Sequence, residues 1–251
     1  FSIKNYSSAI KYFTQALLLD PNNSDIYFNL GKSYYYNDKV IQAREAFTRT
    51  IILEPQHGYA YYYQGIINEN IMEIDNAIFS YNQSKQFSPE IEDLYYRLGM
   101  LLYRTGNMKS AMEPLRKFII FQPDSLYVLD ALGKIFLSEN RYSEAVDTYK
   151  RLQFYYPEKL EISLSLAEAY WHLNEFYSAK DVFEKILMFD DENYDVMLRL
   201  GEIYNYLGES AKAEKIFHQV INCTASSMKA YYQLALTFGS QKKYMQAIIA
   251  F

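Results

Sequence analysis

An alanine recurs every 34 residues along this chain, at Ala9, Ala43, Ala77, Ala111, Ala145, Ala179, Ala213 and Ala247, without one insertion or deletion. Four residues after each stands a large side chain: Phe13, Phe47, Tyr81, Leu115, Tyr149, Phe183, Phe217 and Phe251. Twelve residues before each alanine from the second onward comes another small residue: Gly31, Gly65, Gly99, Gly133, Ala167, Gly201 and Ala235. Prolines keep the same beat at Pro21, Pro55, Pro89, Pro123 and Pro157, then give way to Asp191 and Ala225. A fixed period of this length is the signature of a repeat architecture, in which each unit buries its apolar face against its neighbours.

Within one period the apolar spacing is that of two helices. Tyr27, Leu30, Gly31 and Tyr34 share one helical face, and Val40, Ala43, Phe47 and Ile51 share a second. Asp38, Gly106, Asn140, Asn174 and Gly208 fall at one recurring place between the two segments. These residue types tolerate the left-handed backbone that closes a helix. The prolines end the second helix, and polar starters such as "NNSD" and "PDS" open the next. The small columns mark places where the helices touch, with room for a hydrogen or a methyl group and no more.

The stretch "YFNLGKSY…AREAF…P" from Tyr27 to Pro55 resembles the W-x2-L-G-x2-Y…A-x3-F…P pattern of tetratricopeptide repeats, and the resemblance runs the length of the chain. It implies an all-α, right-handed superhelical solenoid of antiparallel helix-turn-helix repeats. A single array over 1–251 is expected, with a partial repeat at 1–23 and full repeats at 24–57, 58–91, 92–125, 126–159, 160–193 and 194–227, then a partial repeat at 228–251. Both ends fall inside a repeat and the first residue is Phe1 rather than Met. A segment of a longer array or larger protein is therefore expected, with uncapped ends open to self-association and Phe251 left bare. Gln64 and Asn68 replace apolar members of the pattern and "ENIMEI" replaces the usual turn, so 58–91 is expected to be the loosest unit. Pro114 is expected to bend its helix. "NCTASSM" lacks the proline of the other junctions, either an ordinary loop variation or a change of curvature.

Composition narrows the function. The net charge of -5 and pI near 5.4 argue against a general nucleic-acid or anionic-membrane binder, which needs a basic footprint. No apolar run approaches the length of a membrane span. The lone Cys223 cannot form an internal disulfide, reads most simply as a half-buried helix thiol, and fixes no compartment. His57, His172 and His218 lie in different units without metal-ligand spacing. Glu168 and His172 stand one helical turn apart, either an acid–base or metal pair or, more simply, a local contact. No glycine-rich phosphate loop occurs. The expectation is a non-enzymatic protein with no cofactor and no metal.

The 27 tyrosines and 16 phenylalanines sort by helical face. Tyr61 shares the stripe of Gly65 and should pack within its hairpin, as should Tyr27, Tyr95 and Tyr231; Tyr59 and Tyr62 fall on the other side, with Tyr63 at the border. In the resembled family that other side lines a concave groove. Carried along the chain, it collects Phe28, Tyr35, Tyr59, Tyr62, Tyr96, Tyr103 and Tyr127 in the first half, and Glu168, Trp171, His172, Asp195 and Glu202 in the second. Lys32, Ile66, Glu69, Glu161, Leu198 and Tyr206 project to the same side. Such a wall suits a protein or peptide with aromatic or apolar anchors and basic residues. Two plainer readings stand beside it: the rings pack on neighbouring helices with their hydroxyls satisfied locally, and the carboxylates form a solvated face offset by Arg199. Two ligand modes of the resembled family lack their residues. The chaperone-tail clamp would need lysines and asparagines where Phe28, Lys32, Tyr62, Ile66, Tyr96 and Met100 stand, and the asparagine ladder stops after Asn29. The leading expectation is an interaction scaffold. Its rivals are a structural part of a large assembly and the recognition arm of a larger enzyme.

Overall fold

The computed structural model describes residues 5–223 and 227–250. Fifteen α-helices and no strand occur among them. They are α1 (Tyr6–Leu19), α2 (Ser24–Tyr35), α3 (Val40–Leu53), α4 (Gly58–Asn70), α5 (Ile74–Phe87), α6 (Glu92–Arg104), α7 (Met108–Phe121) and α8 (Leu126–Ser138). The remainder are α9 (Tyr142–Tyr155), α10 (Leu160–His172), α11 (Phe176–Phe189), α12 (Tyr194–Tyr206), α13 (Ser210–Cys223), α14 (Met228–Ser240) and α15 (Tyr244–Ala250). The chain forms two compact units, Phe1–Val128 and Leu129–Phe251, with the division inside α8. In the first unit each helix from α1 to α7 packs on the next, and in the second the same holds from α9 to α15. All of this is the tandem helix-hairpin fold expected from the period.

The alanine column is the seam of each hairpin. Ala43, Ala77, Ala111, Ala145, Ala179 and Ala213 are completely buried, while Ala9 and Ala247, in the outermost helices, are only partly so. The glycine column faces the large residue sixteen positions on. A β-carbon built at Gly65 would lie 2.5 Å from the Tyr81 ring, one at Gly201 would lie 2.5 Å from Phe217, and one at Gly99 would lie 2.5 Å from Leu115. Real β-carbons do not approach so closely, so the glycines are needed for helix contact rather than for backbone freedom.

Each hairpin turn closes in the left-handed conformation. Asp38, Asn140 and Asn174 have φ near 60°, and Gly106 and Gly208 lie at 81° and 76°. Met72 (φ 63°) and Lys242 (φ 60°) occupy the same place with residue types that give no turn signal. In "ENIMEI" the amide of Met72 donates to the Glu69 carbonyl and that of Glu73 to the Asn68 carbonyl. The Asp38 and Asn174 turns make the same two bonds one or more periods away. The carbonyls at the helix end are thereby satisfied whatever the side chain.

The expectation of a loose unit at 58–91 is corrected. Asn68 is buried and donates to Ser80 Oγ at 3.3 Å, and Gln64 donates to Thr48 Oγ1 at 2.9 Å, so the polar replacements are matched by polar partners. Helix α7 continues through Pro114, which is itself buried. Cys223 is exposed rather than half-buried. At the outer helices, Tyr12, Leu18 and Leu19 of α1 and Tyr244, Met245, Ile248 and Ile249 of α15 are exposed. Phe251, Ala225 and the centre of "NCTASSM" lie outside the described residues.

Two substitutions test this packing by urea melts of the chain. Ala145→Leu is expected to overpack a seam with no free volume and to cost about 1–3 kcal/mol. Met72→Gly is expected to stabilise by about 0.5–1 kcal/mol, the left-handed strain removed being partly offset by glycine's unfolded-state entropy.

Candidate functional site

In the first unit the rings of the leading helices α2 and α4 gather around Tyr63. Its ring stacks on Phe47 at 5.1 Å and meets Phe28, Tyr35, Tyr36 and Tyr62 at between 5.5 and 6.4 Å. The Tyr63 and Tyr36 hydroxyls are 3.1 Å apart, and Tyr36 stacks on Tyr6 of α1. Phe28 lies against His57, with the Lys32 ammonium 4.7 Å from its ring centre. The border residue of the sequence reading is thus the centre of the cluster.

Beyond it, hydroxyls and charges form one network. Tyr62 donates to Asp93 at 2.6 Å, and Asp93 also accepts from Arg97 Nε at 2.5 Å. Arg97 and Arg104 both reach Glu69, at 3.5 and 2.7 Å, and the buried Tyr81 hydroxyl donates to the same carboxylate at 2.7 Å. Burial, and then the hydrogen bonds to Asp93, Tyr36 and Glu69 respectively, push the Tyr62, Tyr63 and Tyr81 phenols well above the ordinary tyrosine range. The plainer reading therefore describes Tyr62, whose hydroxyl is satisfied within the unit. Phe28 and Tyr35 are half-buried in the Tyr63 cluster, Tyr96 is half-buried against Phe118 at 5.3 Å, and Tyr103 is half-buried on α6. Tyr59 and Tyr127 remain open to solvent, at 42% and 80% exposure. Ile66, projected to this side, is buried.

Tyr61 and Tyr95 pack inside their hairpins as expected, on Phe87 and Phe121, each 26 residues on. Tyr231 is 37% exposed.

In the second unit, Glu168, Trp171 and His172 of α10 meet Asp195 and Arg199 of α12 and Lys229 of α14 in one cleft of about 450 Å³. Trp171 stands edge-on to Phe176 and Tyr206, which stack on each other at 4.9 Å, and the Arg199 guanidinium lies 5.9 Å from the indole. His172 stacks on Tyr142 at 4.3 Å, with its Nε2 4.0 Å from Glu168 Oε1. That is a local contact on one helix turn. No group of three His, Cys, Asp or Glu side chains suited to a metal occurs among the described residues.

The expected groove side needs correction at Glu202, one of its carboxylates, and at Leu198. Both are buried, Glu202 with 8% of its surface exposed and beside Lys229 and Gln233 of α14. Glu202 accepts from Gln233 Nε2 at 3.1 Å and lies 3.5 Å from Lys229 Nζ and 3.7 Å from an Arg199 guanidinium nitrogen. Glu161, Glu168 and Asp195 stay exposed. Sequence reasoning missed Tyr142, Phe176 and Gln233, whose roles depend on a neighbouring hairpin rather than on their own period.

Family models described as TPR repeat or tetratricopeptide repeat match residues 1–38, 28–85, 93–125, 131–193 and 195–222. A search of the curated proteins found no match. Among solved structures the chain is similar to MamA at 25% identity and a TM-score of 0.52, over 62% of this chain and 92% of that one. It is similar in fold to YrrB, described as a TPR protein with an unusual peptide-binding site, at 16% identity and a TM-score of 0.52, over 92% of this chain and 97% of that one. A chain of the Naa15/Naa10 complex bound to HypK matches at 14% identity and a TM-score of 0.65, over 90% of this chain and 35% of that one. No helix among the described residues is long and apolar enough to cross a membrane.

The tyrosine network carries a pH prediction. Phenol pKa values held above the unfolded value of about 10 stabilise the fold fully below that pH and progressively less as the pH rises through them. The urea midpoint is expected to fall above about pH 10, and to fall less steeply in Tyr81→Phe.

Proposed function

The chain belongs to the tetratricopeptide repeat family, and on that footing we propose that it is a non-enzymatic scaffold holding an extended protein segment against the exposed faces of its leading helices. The repeat fold is consistent with a protein-interaction scaffold. We read 1–251 as one array of repeats, with full repeats from 24–57 to 194–227.

The observation that carries the proposal is the α10–α12–α14 cleft, which brings Glu168, Trp171, His172 and Asp195 together around a partly exposed indole. Aromatic anchors set among charges are the usual centres of binding energy in such interfaces. The open carboxylates Glu161, Glu168 and Asp195 of the second unit favour basic residues in the bound segment; the first unit by itself offers the exposed rings of Tyr59 and Tyr127 to apolar groups. The peptide-binding site named for YrrB and the HypK-bound Naa15/Naa10 assembly support a protein ligand. A stacked His172 in local contact with Glu168 supports binding over acid–base chemistry. The residues at the chaperone-clamp positions, Phe28 and Tyr62 among them, favour a ligand other than a chaperone tail.

A second reading, assembly of copies through outer helices, draws on the exposed Tyr244, Met245, Ile248 and Ile249 of α15. Light scattering that rises with concentration would favour it; a strict monomer favours the scaffold. For the scaffold itself, affinity capture from lysate followed by mass spectrometry is expected to lose its specific partner in Trp171→Ala. Unchanged capture by that variant, with its circular dichroism intact, would refute the cleft.

A further inference from the structure

Next to the cleft, a recess of about 300 Å³ opens between α12 and α14, lined by Glu202, Asn205, Tyr206, Gln233, Leu236 and Ser240. We infer that this recess is an arginine side-chain site, in which a guanidinium from a bound segment forks onto the buried Glu202 carboxylate while its stem lies along Tyr206 and Leu236. The inference rests on the scaffold reading above and names the residue that the bound segment presents.

The hydrogen bonding of the recess leads to that ligand. Thr237 Oγ1 donates its single proton to the Gln233 carbonyl at 2.8 Å, so it can only accept from Asn205, which must present its NH₂ group, at 2.8 Å. Asn205 Oδ1 is left buried with no partner. Ser240 donates to the Thr237 carbonyl at 2.7 Å. Gln233 must likewise offer NH₂ to Glu202, since an ionised carboxylate only accepts. One N–H of each amide and the hydroxyl protons of Thr237 and Ser240 are spent within the protein, while Asn205 Oδ1 and the Glu202 carboxylate keep unfilled acceptor capacity.

Glu202 is the focus. A carboxylate so deeply buried ordinarily takes several hydrogen bonds, yet it makes one within normal length, to Gln233. Lys229 and Arg199 stand off at 3.5 and 3.7 Å, and both are about half exposed. They soften the charge of Glu202 without saturating its lone pairs. A planar fork of N–H donors meets such an acceptor in a way that a point charge does not. The exposed faces of Tyr206 and Leu236 would cover the methylene stem.

The test uses the whole chain with N-acetyl-arginine amide, N-acetyl-lysine amide and the uncharged isostere N-acetyl-citrulline amide, at matched ionic strength. The readouts are the side-chain amide resonances of Gln233 and Asn205 and the emission of Trp171, the only tryptophan, whose ring lies 5.3 Å from Tyr206. The arginine probe is expected to shift these signals saturably, about tenfold more tightly than citrulline and more tightly than lysine. Glu202→Gln is expected to remove the preference for arginine over citrulline. Lys229→Met, which frees Glu202 of a competing cation, is expected to tighten arginine binding about threefold or more, a gain that misfolding cannot mimic. No saturable shift, equal binding of the three probes, an unaffected Glu202→Gln or weaker binding by Lys229→Met would overturn the site. Partner capture lost in Trp171→Ala but unchanged in Glu202→Gln sinks the recess and spares the scaffold. Arginine binding without any captured partner does the reverse.

Discussion

The register of five of the described hairpins depends on a glycine lying under a large residue. A β-carbon at Gly31 would sit 2.7 Å from the Phe47 ring, and the same holds at 2.8 Å for Gly133 and Tyr149. The ring fills the space that the missing side chain leaves, and the alanine four residues before it is sealed from solvent. With that contact in place the leading helix can neither slide nor rotate without opening a void or forcing a clash. Its remaining side chains then divide into those held by the hairpin and those offered to neighbours. Tyr95, stacked on Phe121 with its hydroxyl on the Pro89 carbonyl, belongs to the first group, and Tyr59 to the second.

The two units use the same scaffold for different surface chemistry. In the first, tyrosine hydroxyls and arginines converge on Asp93 and Glu69, so the rings of α4 are tied down and much of their polarity is consumed within the protein. A surface ordered in this way loses little freedom when a partner arrives. In the second, the aromatic cluster of Trp171, Phe176 and Tyr206 is held by ring contacts, and the charges around it are loosely paired. Glu202 keeps unfilled acceptor capacity at the floor of its recess.

Much of the fold was legible in the chain. The turns at Asp38, Gly106, Asn140, Asn174 and Gly208 were readable from residue type, and all five are left-handed. Met72 and Lys242 were not, since neither residue type favours that conformation; only their place in the period points to it. Asn68 was misread as a weakness because its partner, Ser80, lies on the following helix. The binding face was less legible. Helical projection put Ile66, Leu198 and Glu202 on an open side, yet all three are buried, Glu202 beside Gln233 and Lys229 of the next hairpin. Tyr63 could not be assigned, because its environment is made by Phe28, Tyr35 and Tyr36 of the preceding hairpin.

Spacing along the chain was enough to specify helices, turns, hairpin seams and the repeat itself, because each rests on contacts within about one period of 34 residues. It could also exclude a long apolar span and nominate the residues of the α10–α12 cleft. Which acceptors stay unfilled, which rings lose their hydroxyls to a carboxylate and which projected residues vanish from the surface were settled by folding. Those outcomes depend on side chains brought together from adjacent hairpins, about 30 residues apart in the cases of Tyr62 with Asp93 and Glu202 with Gln233. A periodic pattern records that neighbours exist, but not which atoms they present.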